Sequence, residues 1–156
     1  MGKTAREIAG EKVEDVVAEL NKALADEWLA YIQYTMAASI VKHPNAAKEL
    51  ASVAKEELEH ADELTERILQ LGGKPVVDQK QLYELTNCGY EAPSEETIES
   101  LKGALKGENC AIKIYHKIAM MTKDSDVVTY NLALHIMEEE IEHEERFEAL
   151  VEWIEG

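Results

Sequence analysis

The sequence predicts an all-α fold, a four-helix bundle with a long crossover between helices two and three. Three observations predict it. Four long stretches carry apolar residues at helical spacing, their breaks run short, long, short, and no segment of any length alternates with strand period.

The first helix is read from about Glu11 to Val41, with a stripe at Val13, Val16, Val17, Leu20, Leu24, Trp28, Tyr31 and Ile32. Residues 1–10 before it read as a short arm. His43-Pro44-Asn45 breaks the helix, because proline disfavours the helical region in the residue before it, and Asn45 is placed to cap the next helix. The second helix runs from about Ala46 to Leu71 along Leu50, Val53, Leu58, Ala61, Leu64 and Ile68. Gly72-Gly73 ends it and Pro75 blocks a restart.

Residues 73–93 read as the crossover, with turn signals at Asn87-Cys88-Gly89 and Pro93. Such a length is what a connection between parallel bundle helices requires. Ser94 is the expected cap of the third helix, whose first turn holds Glu95 and Glu96. Its stripe is Ile98, Leu101, Leu105, Ile112, Tyr115 and Ile118. The chain turns again near Lys123-Asp124-Ser125-Asp126, and the fourth helix continues to about Ile154.

The chain of 156 residues reads as one domain, 1–156, large enough for a core. Apolar residues make up 46% and charged residues 31%, which excludes a disordered chain. No apolar run approaches membrane-spanning length. The opening Met-Gly-Lys-Thr-Ala-Arg-Glu lacks the apolar core of a secretory signal, and Arg6 occupies the Ser/Thr position of a myristoylation pattern. A cytoplasmic location is expected.

With 16 basic and 32 acidic side chains the net charge is −16, which argues against nucleic-acid binding without a separate basic patch. Lys3, Arg6 and Lys12 bias the N-terminal arm only slightly, since Glu7 and Glu11 dilute them. Excess carboxylate suits a protein that holds hard cations.

Two copies of Glu-x-x-His, Glu57–His60 and Glu140–His143, each have a lone glutamate about one helix upstream: Glu27, 30 residues before Glu57, and Glu108, 32 before Glu140. With 26 glutamates in the chain the tetrapeptide itself is weakly specific; helical phase adds the information. Glu57 lies four after Val53 and His60 four before Leu64. Glu140 follows Ile136 by four and His143 precedes Phe147 by four. Glu27 lies three after Leu24, and Glu108 four before Ile112. All six fall on the core face of their helices.

Four unpartnered carboxylates in a core would cost several kcal/mol apiece, and two divalent cations would neutralise them. A mixed oxygen and nitrogen donor set suits iron or manganese better than calcium. Tyr34 and Tyr115 each follow an upstream glutamate by seven. Each could hydrogen-bond a ligating carboxylate or supply an electron, or could simply fill the core.

These residues resemble the di-iron site of bacterioferritin and its relatives, and are most similar to the Dps-like ferritins, or thioferritins. The supporting stretches are Glu-Asn-Cys-Ala-Ile-Lys at 108–113, Thr-Tyr-Asn-Leu-Ala-Leu at 129–134 and Glu-Glu-Glu-Ile-Glu-His-Glu at 138–144. The resemblance spans all four helices and implies the ferritin-like bundle. It implies two iron ions per subunit, with Glu57 and Glu140 bridging, Glu27 and Glu108 terminal, and His60 and His143 completing the set. It further implies a homo-oligomer, a hollow dodecamer, that oxidises Fe(II) with hydrogen peroxide or O2, stores the ferric product and protects against oxidative stress.

The family's cysteine pair is matched by Cys88 and Cys110, either a redox-active dithiol or a disulfide. Cys110 lies two residues from Glu108 and so off that ligand's face. The chain ends soon after the fourth helix without a fifth, which favours the smaller cage. The rubredoxin-type cysteine pairs of rubrerythrins are absent from the sequence. Met36, Met120, Met121 and Met137 read as core or interface filler, so haem is not indicated. Two other functions remain open: a manganese- or iron-dependent peroxidase or catalase that stores no metal, and a helical interaction module with a purely structural metal site.

Overall fold

A computed structural model describes residues 2–156. Six α-helices follow in order: α1 Lys3–Ala9, α2 Val13–Ile40, α3 Pro44–Gln70, α4 Leu82–Leu85, α5 Thr97–Thr122 and α6 Val127–Glu155. Two 3-10 turns, Gly10–Lys12 and Gln79–Gln81, precede α2 and α4. No strand occurs among the described residues. The short breaks fold α2 onto α3 and α5 onto α6 as antiparallel hairpins, and the crossover joins the two hairpins.

The helix ends follow local chemistry and correct several expectations. Gly10, at φ 72°, ends α1, so the short N-terminal arm carries a helix of its own. Its Arg6 donates to the Leu71 carbonyl at 2.6 Å and ties α1 to the end of α3. The second long helix starts at Pro44, not after Asn45: His43 is extended before the proline, whose missing N–H costs nothing at the first helical position. Gly72 takes φ 71°, and Gly73 N–H returns to the Ile68 carbonyl at 2.9 Å, closing α3.

Ser94 does not cap α5, which begins at Thr97. Its hydroxyl accepts from the Glu96 amide at 3.1 Å, and Ser100 Oγ donates to the Ser94 carbonyl at 2.6 Å, so Ser94 shapes the turn leading into α5. Asp126 caps α6, accepting from the Thr129 amide at 3.2 Å while Arg67 Nη2 donates to it at 2.8 Å.

The core has two apolar layers. One is built from Leu20, Leu24, Leu64, Ile68, Ile118 and Ile136, the other from Tyr34, Leu50, Val53, Leu101, Ala104 and Phe147. Between them lie buried carboxylates and imidazoles. The predicted stripe of α2 is right through Leu24 and then drifts. Trp28, Tyr31 and Ile32 are only partly buried and line a groove with Val76, Val77 and Leu82 of the crossover, while Glu27, Tyr34 and Ala37 face the core. The large side chains marked the flank covered by the crossover, and the polar Glu27 marked the seam.

Candidate metal centre

Each long helix sends a carboxylate into the middle of the bundle: Glu27 from α2, Glu57 from α3, Glu108 from α5 and Glu140 from α6. His60 and His143 stand one turn beyond Glu57 and Glu140. All six are 0–1% exposed. Their facing atoms form two overlapping groups, Glu27, Glu57, His60, Glu140 and Glu57, Glu108, Glu140, His143, each with ligand atoms within 4.8 Å of one another. Glu57 and Glu140 belong to both.

The hairpins interlock at this point. His60 Nδ1 lies 2.9 Å from Glu140 Oε1, and His143 Nδ1 lies 2.9 Å from Glu57 Oε1. Glu27 Oε2 is 3.6 Å from His60 Nδ1, and Glu108 Oε2 is 3.6 Å from His143 Nδ1. The imidazoles stack with centroids 5.9 Å apart.

Whether divalent ions fit can be read from unsatisfied atoms. Glu27 Oε2, Glu57 Oε1, His60 Nδ1, Glu108 Oε2, Glu140 Oε1 and His143 Nδ1 are buried without a hydrogen-bond partner. Such atoms are costly in a core, and these six converge on two foci. Oxygen and imidazole nitrogen together suit iron or manganese. The residues fit a pair of divalent ions.

Electrostatics carry the same strain. Burial raises Glu57 well above the ordinary carboxylate range, and Glu140, Glu27 and Glu108 raise it further. Burial likewise raises Glu140, with Glu108 and Glu27 adding to it. For His60 burial disfavours the imidazolium, but Glu140 and Glu27 outweigh it and push the pKa up to about 12. Burial also opposes the charge on Glu27, yet the neighbouring Glu57 carboxyl and His60 imidazole hold its pKa below the usual value.

The tyrosines cross between hairpins. Tyr34 of α2 donates to Glu108 Oε1 at 2.6 Å, and Tyr115 of α5 donates to Glu27 Oε1. Burial first, and then the carboxylates, raise both phenols well above their usual value, so both remain donors.

Sequence reasoning missed two carboxylates. Glu139 Oε2 stands 2.5 Å from His60 Nε2, and Glu56 Oε2 stands 2.5 Å from His143 Nε2. Each imidazole is therefore held from outside by a carboxylate of the opposite hairpin, which fixes its tautomer and ring plane. The signal was available: Glu56-Glu57-Leu58-Glu59-His60 and Glu139-Glu140-Ile141-Glu142-His143 repeat as whole pentads.

A further missed residue is Asp26, buried beside Glu27. It accepts from Thr86 Oγ1 at 2.5 Å, Asn87 N at 2.8 Å, Asn87 Nδ2 and Cys88 N at 2.9 Å. Burial raises its pKa in spite of those four donors. Cys88 and Cys110 form a disulfide, Cα–Cα 5.7 Å, joining the crossover to α5.

A cavity of about 430 Å³ lies against this segment, with Cys88, Glu91 and Lys106 on one side and Glu27, Glu57 and Glu140 on the other. Gly107 lines it too; a Cβ there would come 3.1 Å from the Tyr34 hydroxyl.

Comparison with known proteins agrees with this architecture. Residues 17–156 match the family model described as a ferritin-like domain. A DNA protection during starvation protein of Pyrococcus furiosus is 38% identical over 150 residues, covering 93% of this chain and 81% of that one. Among solved structures, a dodecameric thioferritin, the bacterioferritin-related protein of Bacteroides fragilis, superposes with a TM-score of 0.94 at 35% identity, covering 97% of this chain and 94% of that one. Dps of Thermosynechococcus elongatus shares the fold with a TM-score of 0.84 at 19% identity, covering 88% of this chain and 90% of that one. The chain belongs to the ferritin-like family, among its Dps-like members.

Proposed function

We propose that the protein is a ferroxidase and iron store that oxidises Fe(II) with hydrogen peroxide at a two-metal centre within each subunit. The observation that carries this reading is the set of six buried, unpartnered ligand atoms converging on two foci that share Glu57 and Glu140. Glu57 and Glu140, common to both groups, would be shared between the two ions, Glu27 and Glu108 would each serve one, and His60 and His143 would complete the set.

Two Fe(II) ions held together supply one electron each, so the peroxide O–O bond breaks with uptake of two protons and two water molecules result. The protein's part is to orient the ligands, through Tyr34, Tyr115, Glu56 and Glu139, and to exclude bulk water between the apolar layers. Manganese would fit the same donors.

The subunit assembles into a hollow homo-oligomer, a dodecamer by analogy with the thioferritin it superposes on. Exposed apolar side chains at Ile8, Val77, Tyr83 and Trp153 supply candidate contacts. No helix among the described residues is long and apolar enough to cross a membrane. With a net charge of −16, protection of the kind named for the Pyrococcus relative would come here by removing Fe(II) and peroxide rather than by coating DNA.

Adding many equivalents of Fe(II) with peroxide tests the proposal: a soluble ferric core is expected, and precipitated iron would sink the storage reading. Glu57→Ala with Glu140→Ala should abolish peroxide-driven oxidation, with the assembled mass unchanged. Oxidation at the wild-type rate would overturn the assigned centre.

A further inference from the structure

The two halves of the centre repeat each other closely in the pentads, and among the positions where the flanking sequence departs from the repeat one bears on the histidines. After the matched pentads, the position three beyond each histidine is Glu63 in α3 and Arg146 in α6. Arg146 Nη1 donates at 2.9 Å to Glu56 Oε2, the same oxygen that faces His143 Nε2. Its Nε holds Glu49, and its Nη2 reaches Ser52 Oγ at 3.3 Å.

Across the pseudo-two-fold, Glu139 faces no guanidinium. Its Oε1 lies 3.4 Å from His135 Nε2, and His135 Nε2 also lies 3.6 Å from Glu63. One supporting carboxylate thus shares a permanent cation with Glu49, and the other is flanked by an imidazole and a second acid.

A carboxylate accepting the outer N–H of a ligating imidazole strengthens the inner nitrogen as a donor, in proportion to the negative charge it keeps. A guanidinium on the same oxygen withdraws part of that charge. We infer that Arg146 makes the two metal positions unequal: through Glu56 it weakens His143 as a ligand, so the position served by His60 binds metal first and more tightly. Arg146 touches no ligand atom in the centre. It is a positioning residue acting on the ligand strength of His143, and the inference rests on the proposed two-metal centre.

The test is titration of the assembled protein with Co(II) alone at about pH 8, followed by calorimetry and by the visible absorption of bound Co(II). Wild type should fill in two resolved steps. Glu139→Gln should weaken the first step about 10- to 100-fold, whereas Glu56→Gln should weaken only the second, and by less. Arg146→Gln should tighten the second step about tenfold and narrow the gap, while Arg146→Lys, which keeps the charge, should preserve the two steps. His135→Arg is the mirror experiment at an exposed position: a cation beside Glu139 should weaken the first step, and it serves even where Arg146→Gln fails to assemble. Equal filling of both positions in wild type would overturn the inference, as would an unchanged gap in Arg146→Gln or an unmoved first step in His135→Arg. Absence of any Co(II) binding would overturn the two-metal reading itself and the inference with it.

Discussion

At the scale of single residues, the centre is defined by groups that are correct only together. Tyr34 shows this: its hydroxyl satisfies a Glu108 oxygen, leaving the other oxygen free to face inward. Tyr34→Phe removes a hydrogen bond to a buried carboxylate and should lower the stability of the metal-free protein by about 1.5–3 kcal/mol, measured by denaturant unfolding. The raised carboxyls set a pH dependence whose sign is fixed. Glu57 and Glu140 keep protons in the folded state that the unfolded chain has released. Metal-free stability therefore falls as pH rises above the ordinary glutamate range of about 4.3. His60, raised to about 12, acts in the same direction: its stabilising charge is fully present below the ordinary histidine value of about 6.5 and is lost progressively above it. Ions that replace these protons remove the penalty. The melting-temperature gap between metal-loaded and metal-free protein should widen from about pH 5 to about pH 8; a constant gap would contradict the charge assignment.

At the scale of elements, the crossover is the part the sequence described least. Its length was legible from Gly72-Gly73 and Pro93, but its anchors were not. Asp26 gave no signal because a carboxylate beside Glu27 reads as a surface charge until the amides of Asn87 and Cys88 are seen pointing at it. Asp26→Ala should free those amides, cost about 2 kcal/mol and raise hydrogen exchange at Asn87 and Cys88 ahead of the rest of the chain. Reducing the Cys88–Cys110 bond, which spans 22 residues, should cost about 3 kcal/mol in the same unfolding assay. Helix phase, by contrast, was legible wherever the stripe was aliphatic. It failed at Trp28, Tyr31 and Ile32 because the crossover covers a second flank of α2, and periodicity cannot tell a helix neighbour from a loop.

At the scale of the whole molecule, the bundle topology and the six candidate ligands could be read from the chain because both repeat. Duplicate Glu-x-x-His motifs with upstream glutamates impose one geometry twice. The supporting acids repeat as well, in the matched pentads, but each pairs with the histidine of the opposite hairpin, and that pairing is a relation no local spacing encodes. That exchange also bears on how the molecule comes apart. Each hairpin holds one shared carboxylate, one unshared carboxylate and one imidazole, so neither alone presents a full ligand set. Separating the hairpins on unfolding must release the ions held across that seam. Bound metal should therefore act as a clasp on the native state alone, slowing unfolding while leaving the rate of hairpin formation unchanged. In a chevron the unfolding limb should drop on metal loading and the folding limb should stay in place.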